Sequence, residues 1–209
     1  MNTQGPLFIE TVRWSAGRYR LSDLHAMRMA RTSPAIRKLV EGGLDRYLPP
    51  VPVDLQGATL KCRLTYDTEI RCIELEPYTP KIIRSLRMVE DNTIDYHLKY
   101  ADRSRLNALA ALRGEADDII IVRNGLIADT SYANLVFRAA DALLTPSTPL
   151  LRGVMITHLL ADGIIKEAPL TPADLLPGNR YGITHAMPVN AMLPPGAVPP
   201  IHISQILMD

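Results

Sequence analysis

Cysteine, lysine and long apolar runs are all scarce in this sequence, and each scarcity excludes something. Two cysteines, Cys62 and Cys72, in 209 residues are too few for a secreted disulfide scaffold, and their spacing is not that of a metal site. No apolar run approaches the roughly 18–20 residues of a membrane-spanning helix. The opening MNTQGPLFIE lacks the basic-then-apolar pattern of a secretory signal. Excess charge is missing too: 23 basic side chains face 22 acidic ones, for a net +1. A nucleic-acid binder normally carries a larger basic excess, with aromatics interleaved. These features predict a soluble cytoplasmic protein that binds neither membrane nor nucleic acid. Only five of the basic residues are lysines (Lys38, Lys61, Lys81, Lys99 and Lys166), so a search for a reactive amine is short.

What is present is ordinary globular material, 47% hydrophobic and 22% charged, and disorder is not expected over most of the length. Residues 7–13 alternate loosely and predict a strand, followed by a turn over 14–17 and a short return strand over 18–21. Ser22 or Asp23 is placed to cap a helix over 24–40, which Pro34 interrupts and Gly42-Gly43 ends. Strand-like runs follow at 59–66, 70–77 and 82–89, predicting an antiparallel sheet with one or two helices. The texture changes near 91–96. A helix is expected from Asp102 or Ser104 to Gly114, then strands at 118–123, 126–129, 133–138 and 143–145. Asn124-Gly125 is the strongest short hairpin signal in the chain. Gly153 opens a helix to about Ala161, and strands are expected at 180–184 and 198–203.

Several residues carry chemistry. Lys99 sits where a short mixed run meets a helix, between Leu98 and Tyr100. Partial desolvation there lowers a lysine pKa, and a neutral amine forms a Schiff base with a carbonyl. Asp129 ends the strand after the Asn-Gly turn. The amides of Val154 and Met155, just past Gly153, lie at a helix start where N–H groups lack intrahelical partners and suit a phosphate. Thr184 offers a hydroxyl to the same group, and Arg28 a guanidinium. Each residue alone also has an ordinary reading. Lys99 is then a solvated lysine at a helix start, Asp129 a turn aspartate, Gly153 a loop-to-helix junction, Thr184 a strand end, Arg28 a surface arginine and His25 a structural histidine.

Their order is more specific than any member. His25-x-x-Arg28 in LHAMRMART is followed by Lys99 in IDYHLKYADRSRLNAL. The hairpin of NGLIADTSYANLVF then ends in Asp129 and continues into Asn134-Leu135. TPLLRGVMITHLL and YGITHAMPV complete the series. This order, from FIETVR to MPV, resembles the class IV aminotransferase family, the fold-type IV pyridoxal phosphate enzymes. That family includes branched-chain and D-amino acid aminotransferases and 4-amino-4-deoxychorismate lyase.

The resemblance implies an α+β chain of two small α/β domains with the cofactor between them, the N-terminal part shortened. It implies a small N-terminal domain over 1–93 and a larger cofactor-binding domain over 94–209, the latter carrying Lys99. Lys99 becomes the Schiff-base lysine and the proton shuttle. Asp129 takes the position facing the pyridine nitrogen, where the family usually has the longer glutamate. Arg28, Thr184, Val154 and Met155 become the phosphate cup, Arg13 a substrate-side arginine, and Asn134 a structural residue. Ser104 stands where several aminotransferases have tyrosine, whereas Arg103 is closer to the lyase arrangement. The implied cofactor is pyridoxal 5'-phosphate with no metal, and the implied assembly is a homodimer. The implied activity is amino transfer between an amino acid and a 2-oxo acid. The alternatives are elimination from an amino-chorismate, giving 4-aminobenzoate and pyruvate, or a non-catalytic descendant.

Overall fold

The computed structural model describes residues 5–208. In chain order the elements are β1 (Phe8–Ser15), β2 (Arg18–Tyr19), α1 (Ser22–Met29), α2 (Pro34–Val40), β3 (Leu60–Tyr66), β4 (Ile70–Pro77) and β5 (Leu86–Glu90). They continue with α3 (Ser104–Ala110), β6 (Asp118–Arg123), β7 (Leu126–Thr130), β8 (Asn134–Arg138), β9 (Leu143–Pro146), α4 (Val154–Ala161), β10 (Lys166–Ala168), β11 (His185–Val189), β12 (Ile201–His202) and β13 (Ile206–Leu207). Among the described residues, contacts divide them into two units: 5–80 with Leu98–Asp102, and Lys81–His97 with 103–208. This differs from a division at 93/94. Leu98–Asp102 returns to the first unit because the Ile9 N–H donates to the Lys99 carbonyl (2.9 Å) and the Ala101 N–H to the Leu7 carbonyl (2.8 Å).

The first unit is an antiparallel sheet in the order β2-β1-β3-β4. Alternation along β1 sends Phe8, Glu10 and Val12 to one face. Phe8 and Val12 pack there with Met29 of α1, Ile36 and Val40 of α2, and Cys62, Leu64 and Tyr66 of β3. Pro34 does split the expected helix, standing at the first position of α2 behind Ser33, whose Oγ accepts from the Ile36 N–H (3.2 Å). Neither Ser22 nor Asp23 caps α1: the cap position is Leu21, in the left-handed region at φ 57°.

The β1–β2 turn holds Ala16 at φ 51° and Gly17 at φ 75°. A tight hairpin needs these left-handed angles, which alanine adopts at a cost and asparagine tolerates. Ala16 is exposed, so Ala16→Asn is expected to stabilise the chain by about 0.5–1 kcal/mol, read as a higher urea midpoint with unchanged slope.

The second unit holds two sheets, β13-β5-β6-β7 and β10-β9-β8-β11-β12. Ile119, Ile120, Ile121 and Val122 make β6 a continuous apolar run, and all four are buried, as a strand covered on both faces requires. That run explains one departure from the sequence reading: β5 joins β6 in parallel and does not extend the first antiparallel sheet. The Asn-Gly hairpin forms as expected, with Asn124 at φ 52° and Gly125 at φ 74° between β6 and β7. The strand expected at 180–184 is displaced to His185–Val189. Residues 179–183 instead form a turn around the Asn179 side chain, whose Oδ1 accepts from the Ile183 N–H (2.9 Å) and whose Nδ2 donates to the Ile183 carbonyl (3.1 Å). Ile120, Val122, Ile127, Leu135, Phe137 and Leu144 contribute to the common core. Among the described residues no helix is long and apolar enough to cross a membrane.

Candidate active site

In the second unit the site residues are wired together by side-chain hydrogen bonds. After Asp129 the chain reverses in a tight turn, with the Thr130 Oγ1 accepting from the Ala133 N–H (3.0 Å). The turn brings Asn134, first residue of β8, beside Asp129. Asn134 Nδ2 donates to Asp129 Oδ1 (2.7 Å) and to the Leu151 carbonyl (2.8 Å). Asn134 Oδ1 accepts from the Gly153 N–H (3.2 Å), and the Leu151 N–H donates to Asp129 Oδ2 (3.1 Å). Asn134 therefore clamps residues 151–153, immediately before α4, to the carboxylate on β7. A Cβ at Gly153 would lie 2.1 Å from Asn134 Oδ1, so only glycine fits. Val154 and Met155 begin α4, where first-turn amides have no carbonyl within the helix to bond.

Asp129 is buried, and burial raises its pKa to about 6 against the opposing bonds from Asn134 and Leu151. An acid whose pKa is higher folded than unfolded holds its proton more tightly in the folded state. Stability therefore falls as pH rises from about 4 to 6, and the full penalty of roughly 3 kcal/mol is present above that window. Asp129→Asn is expected to remove this component. The check is the difference in unfolding free energy between wild type and variant, which should grow between pH 4 and 6 in the cofactor-free protein and then level off. A cation beside the carboxylate should abolish the pH dependence.

Thr184 is exposed and precedes β11. Its N–H donates to the Arg138 carbonyl (2.9 Å), and its hydroxyl lies 3.0 Å from His185 Nδ1. Among the described residues no hydrogen bond joins it to 153–155. Arg103 donates to the Ser131 carbonyl (2.7 Å), next to the turn after Asp129.

In the first unit, Arg28 lies on α1 and is gripped by Glu10 of β1. Arg28 Nε donates to Glu10 Oε1 (2.8 Å) and Nη2 to Oε2 (2.5 Å). His25 Nδ1, one turn earlier, lies 2.5 Å from Glu10 Oε2. Burial alone would raise the Glu10 pKa, but the charges of Arg28 and His25 outweigh it and hold the carboxyl at about 2. Burial lowers the His25 pKa against the pull of Glu10, with Arg28 and Lys99 adding like-charge repulsion. Lys99 is half-buried and belongs to this unit. Arg13 alternates to the opposite face of β1 from Glu10 and faces Arg20 across the hairpin, so it does not join the Arg28 cluster. Burial and then Arg20 lower its pKa, and among the described residues its buried Nε has no hydrogen-bond partner.

Glu10 and the Leu151 amide were not foreseen from sequence. The signal for Glu10 was available. A glutamate alternating with Phe8 and Val12 on an inward face demands a cationic partner, and the following helix supplies His-x-x-Arg.

These elements define a mixed α/β protein whose second unit carries an acid-anchored, glycine-opened helix start and whose first unit carries a buried Glu10–His25–Arg28 cluster. A family model described as amino-transferase class IV matches residues 76–189, more than half of the chain. A Haemophilus influenzae protein described only as uncharacterised is 35% identical over 187 residues, covering 87% of this chain and 97% of the relative. A solved structure from Haemophilus somnus, provisionally named a 4-amino-4-deoxychorismate lyase, is 26% identical with a TM-score of 0.73. It covers 92% of this chain and 100% of its own. A hypothetical aminotransferase of Mycobacterium tuberculosis in its pyridoxal phosphate-bound form shares the fold at 18% identity and a TM-score of 0.68, over 97% of this chain and 82% of that one. The chain belongs to the class IV aminotransferase family, which comprises pyridoxal phosphate-dependent aminotransferases and lyases.

Proposed function

We propose that this protein binds pyridoxal 5'-phosphate through Lys99 and catalyses amino transfer between an amino acid and a 2-oxo acid. The observation that carries the cofactor reading is the Asp129 network. A buried carboxylate with a raised pKa is matched by a protonated ring nitrogen, and through Asn134 it is bonded to the glycine that opens α4. The resemblance assigns the Val154 and Met155 amides, Arg28 and the Thr184 hydroxyl to the phosphate and the Lys99 amine to the aldehyde, and the chemistry of each donor suits that assignment. When bound, the cofactor supplies an electron sink for the electron pair left at the substrate Cα.

The protein's own residues then have separate tasks. Asp129, ionised, would face the ring nitrogen and favour its protonated form. Lys99 would hold the aldehyde through its amine and, as the acid–base group, would move the proton of the substrate Cα. Arg28 and the amides at the start of α4 would each supply donors suited to the phosphate, and Arg13 is assigned to the substrate side. Resemblance to the family supports a homodimer, and the composition supports a cytoplasmic setting.

A second reading, elimination from 4-amino-4-deoxychorismate, is favoured by Arg103 four residues after Lys99 and by the provisional name of the Haemophilus somnus relative. The two separate on the need for an acceptor. Amino transfer predicts glutamate formed from 2-oxoglutarate by a panel of L- and D-amino acids, in ping-pong kinetics. Elimination predicts pyruvate and 4-aminobenzoate with no oxo acid added. Failure of both with cofactor-loaded protein would overturn the enzymatic assignment.

A further inference from the structure

Glu10, in the first unit, has no part in the steps above. Its carboxylate is wholly buried on the face of β1 that otherwise presents Phe8 and Val12 to an apolar core. Burying a charge costs several kcal/mol even when it is paired, and well-packed hydrophobes of similar volume are often as stable or more so. Stability alone therefore does not account for a carboxylate, an imidazole and a guanidinium in this core.

What the three groups accomplish is orientation. His25 and Arg28 are three residues apart and share a face of α1. Glu10 takes the Nε–Nη2 edge of Arg28 in a two-point grip, the geometry that fixes a planar guanidinium in direction as well as position. His25 Nδ1 closes on Glu10 Oε2 and holds the carboxylate against rotation. The same strand also holds the lysine: Ile9, next to Glu10, donates its N–H to the Lys99 carbonyl (2.9 Å). A single strand thus sets Arg28 through a side chain and Lys99 through the backbone.

We infer that Glu10, locked by His25, is a positioning residue that presents Arg28 to the cofactor phosphate at a fixed distance from Lys99. This rests on the cofactor assignment proposed above, and it predicts a selective defect. A residue acting through the phosphate anchor should matter for a phosphorylated ligand and not for the same ligand without its phosphate.

The test is titration of the full-length protein with pyridoxal phosphate and, separately, with pyridoxal, read by the visible band that depends on Lys99. Glu10→Gln is expected to weaken pyridoxal phosphate roughly 10–100-fold, by analogy with the loss when a partner that orients a metal ligand is removed, and pyridoxal by no more than about twofold. Glu10→Asp should recover part of the loss, and Glu10→Gln added to Arg28→Lys should cost little more than Arg28→Lys alone. Equal losses for both ligands, or no loss for either, would overturn the inference. If Glu10→Gln does not fold, Glu10→Asp and His25→Gln carry the same test, with a smaller loss still confined to the phosphorylated ligand. Absence of the band in the wild type would remove the cofactor reading and this inference together. A normal wild-type band with unchanged discrimination in the variants would remove this inference alone.

Discussion

Lys99→Ala is expected to abolish turnover, lowering kcat by roughly a thousandfold or more, while leaving the fold intact. The lysine is assigned two tasks that no neighbour duplicates, covalent attachment of the aldehyde and movement of the Cα proton, and a positioned acid–base group alone is worth about 10²–10⁴ in rate. The backbone contribution of residue 99 survives the substitution. Its carbonyl still accepts from the Ile9 N–H, so the return of Leu98–Asp102 onto β1 does not depend on the side chain. The checks are paired: steady-state rates for function, and circular dichroism with a thermal midpoint for fold. A variant that retains a tenth of the wild-type rate would remove Lys99 from the chemistry.

Gly153→Ala should be the most damaging single methyl group in the second unit. The added Cβ would lie 2.1 Å from Asn134 Oδ1, inside any allowed contact. Retreat of Asn134 is not cheap, because its amide is committed to Asp129 Oδ1 and to the Leu151 carbonyl. Moving it strands a buried carboxylate oxygen and loosens the segment that leads into α4. Overpacking together with a broken buried network is expected to cost about 2–4 kcal/mol. It should also weaken pyridoxal phosphate more than pyridoxal, since the displaced backbone is the assigned phosphate site. Urea unfolding and the two titrations measure the two parts. Near-wild-type stability would mean that Asn134 is free to swing and that its clamp on residues 151–153 does not hold this part of the fold together.

The parts of this fold that could be read from sequence were those with a local cause. Asn124-Gly125 dictates its own turn, Pro34 divides the helix because it cannot continue one, and the apolar run at 119–122 demands a covered strand. The misplaced parts depend on distant partners. Nothing within residues 82–90 shows that β5 pairs in parallel with β6. Tyr181 to Thr184 have strand-like composition, but the bonds made by Asn179 hold them in a turn and delay β11 to His185. The edge strands β10 and β13 are too short to announce themselves. At the site, the order of motifs singled out Lys99, Asp129 and the start of α4, whereas the hydrogen bonds that tie Asp129 to Leu151 and Gly153 run across up to 22 residues and needed coordinates. Glu10 sat in plain view as a charge on an inward strand position, and its meaning required the partner helix.

Attachment of the cofactor to Lys99 is open to chemical trapping. Protein loaded with pyridoxal phosphate would be reduced with borohydride, digested, and the pyridoxyl-modified peptide located by mass spectrometry. A Schiff base at Lys99 predicts one modified residue among the five lysines, Lys99, within the stretch IDYHLKYADR, and no stoichiometric label in Lys99→Ala. Stoichiometric modification of Lys38, Lys61, Lys81 or Lys166, or a wild-type protein that takes up no label, would contradict it.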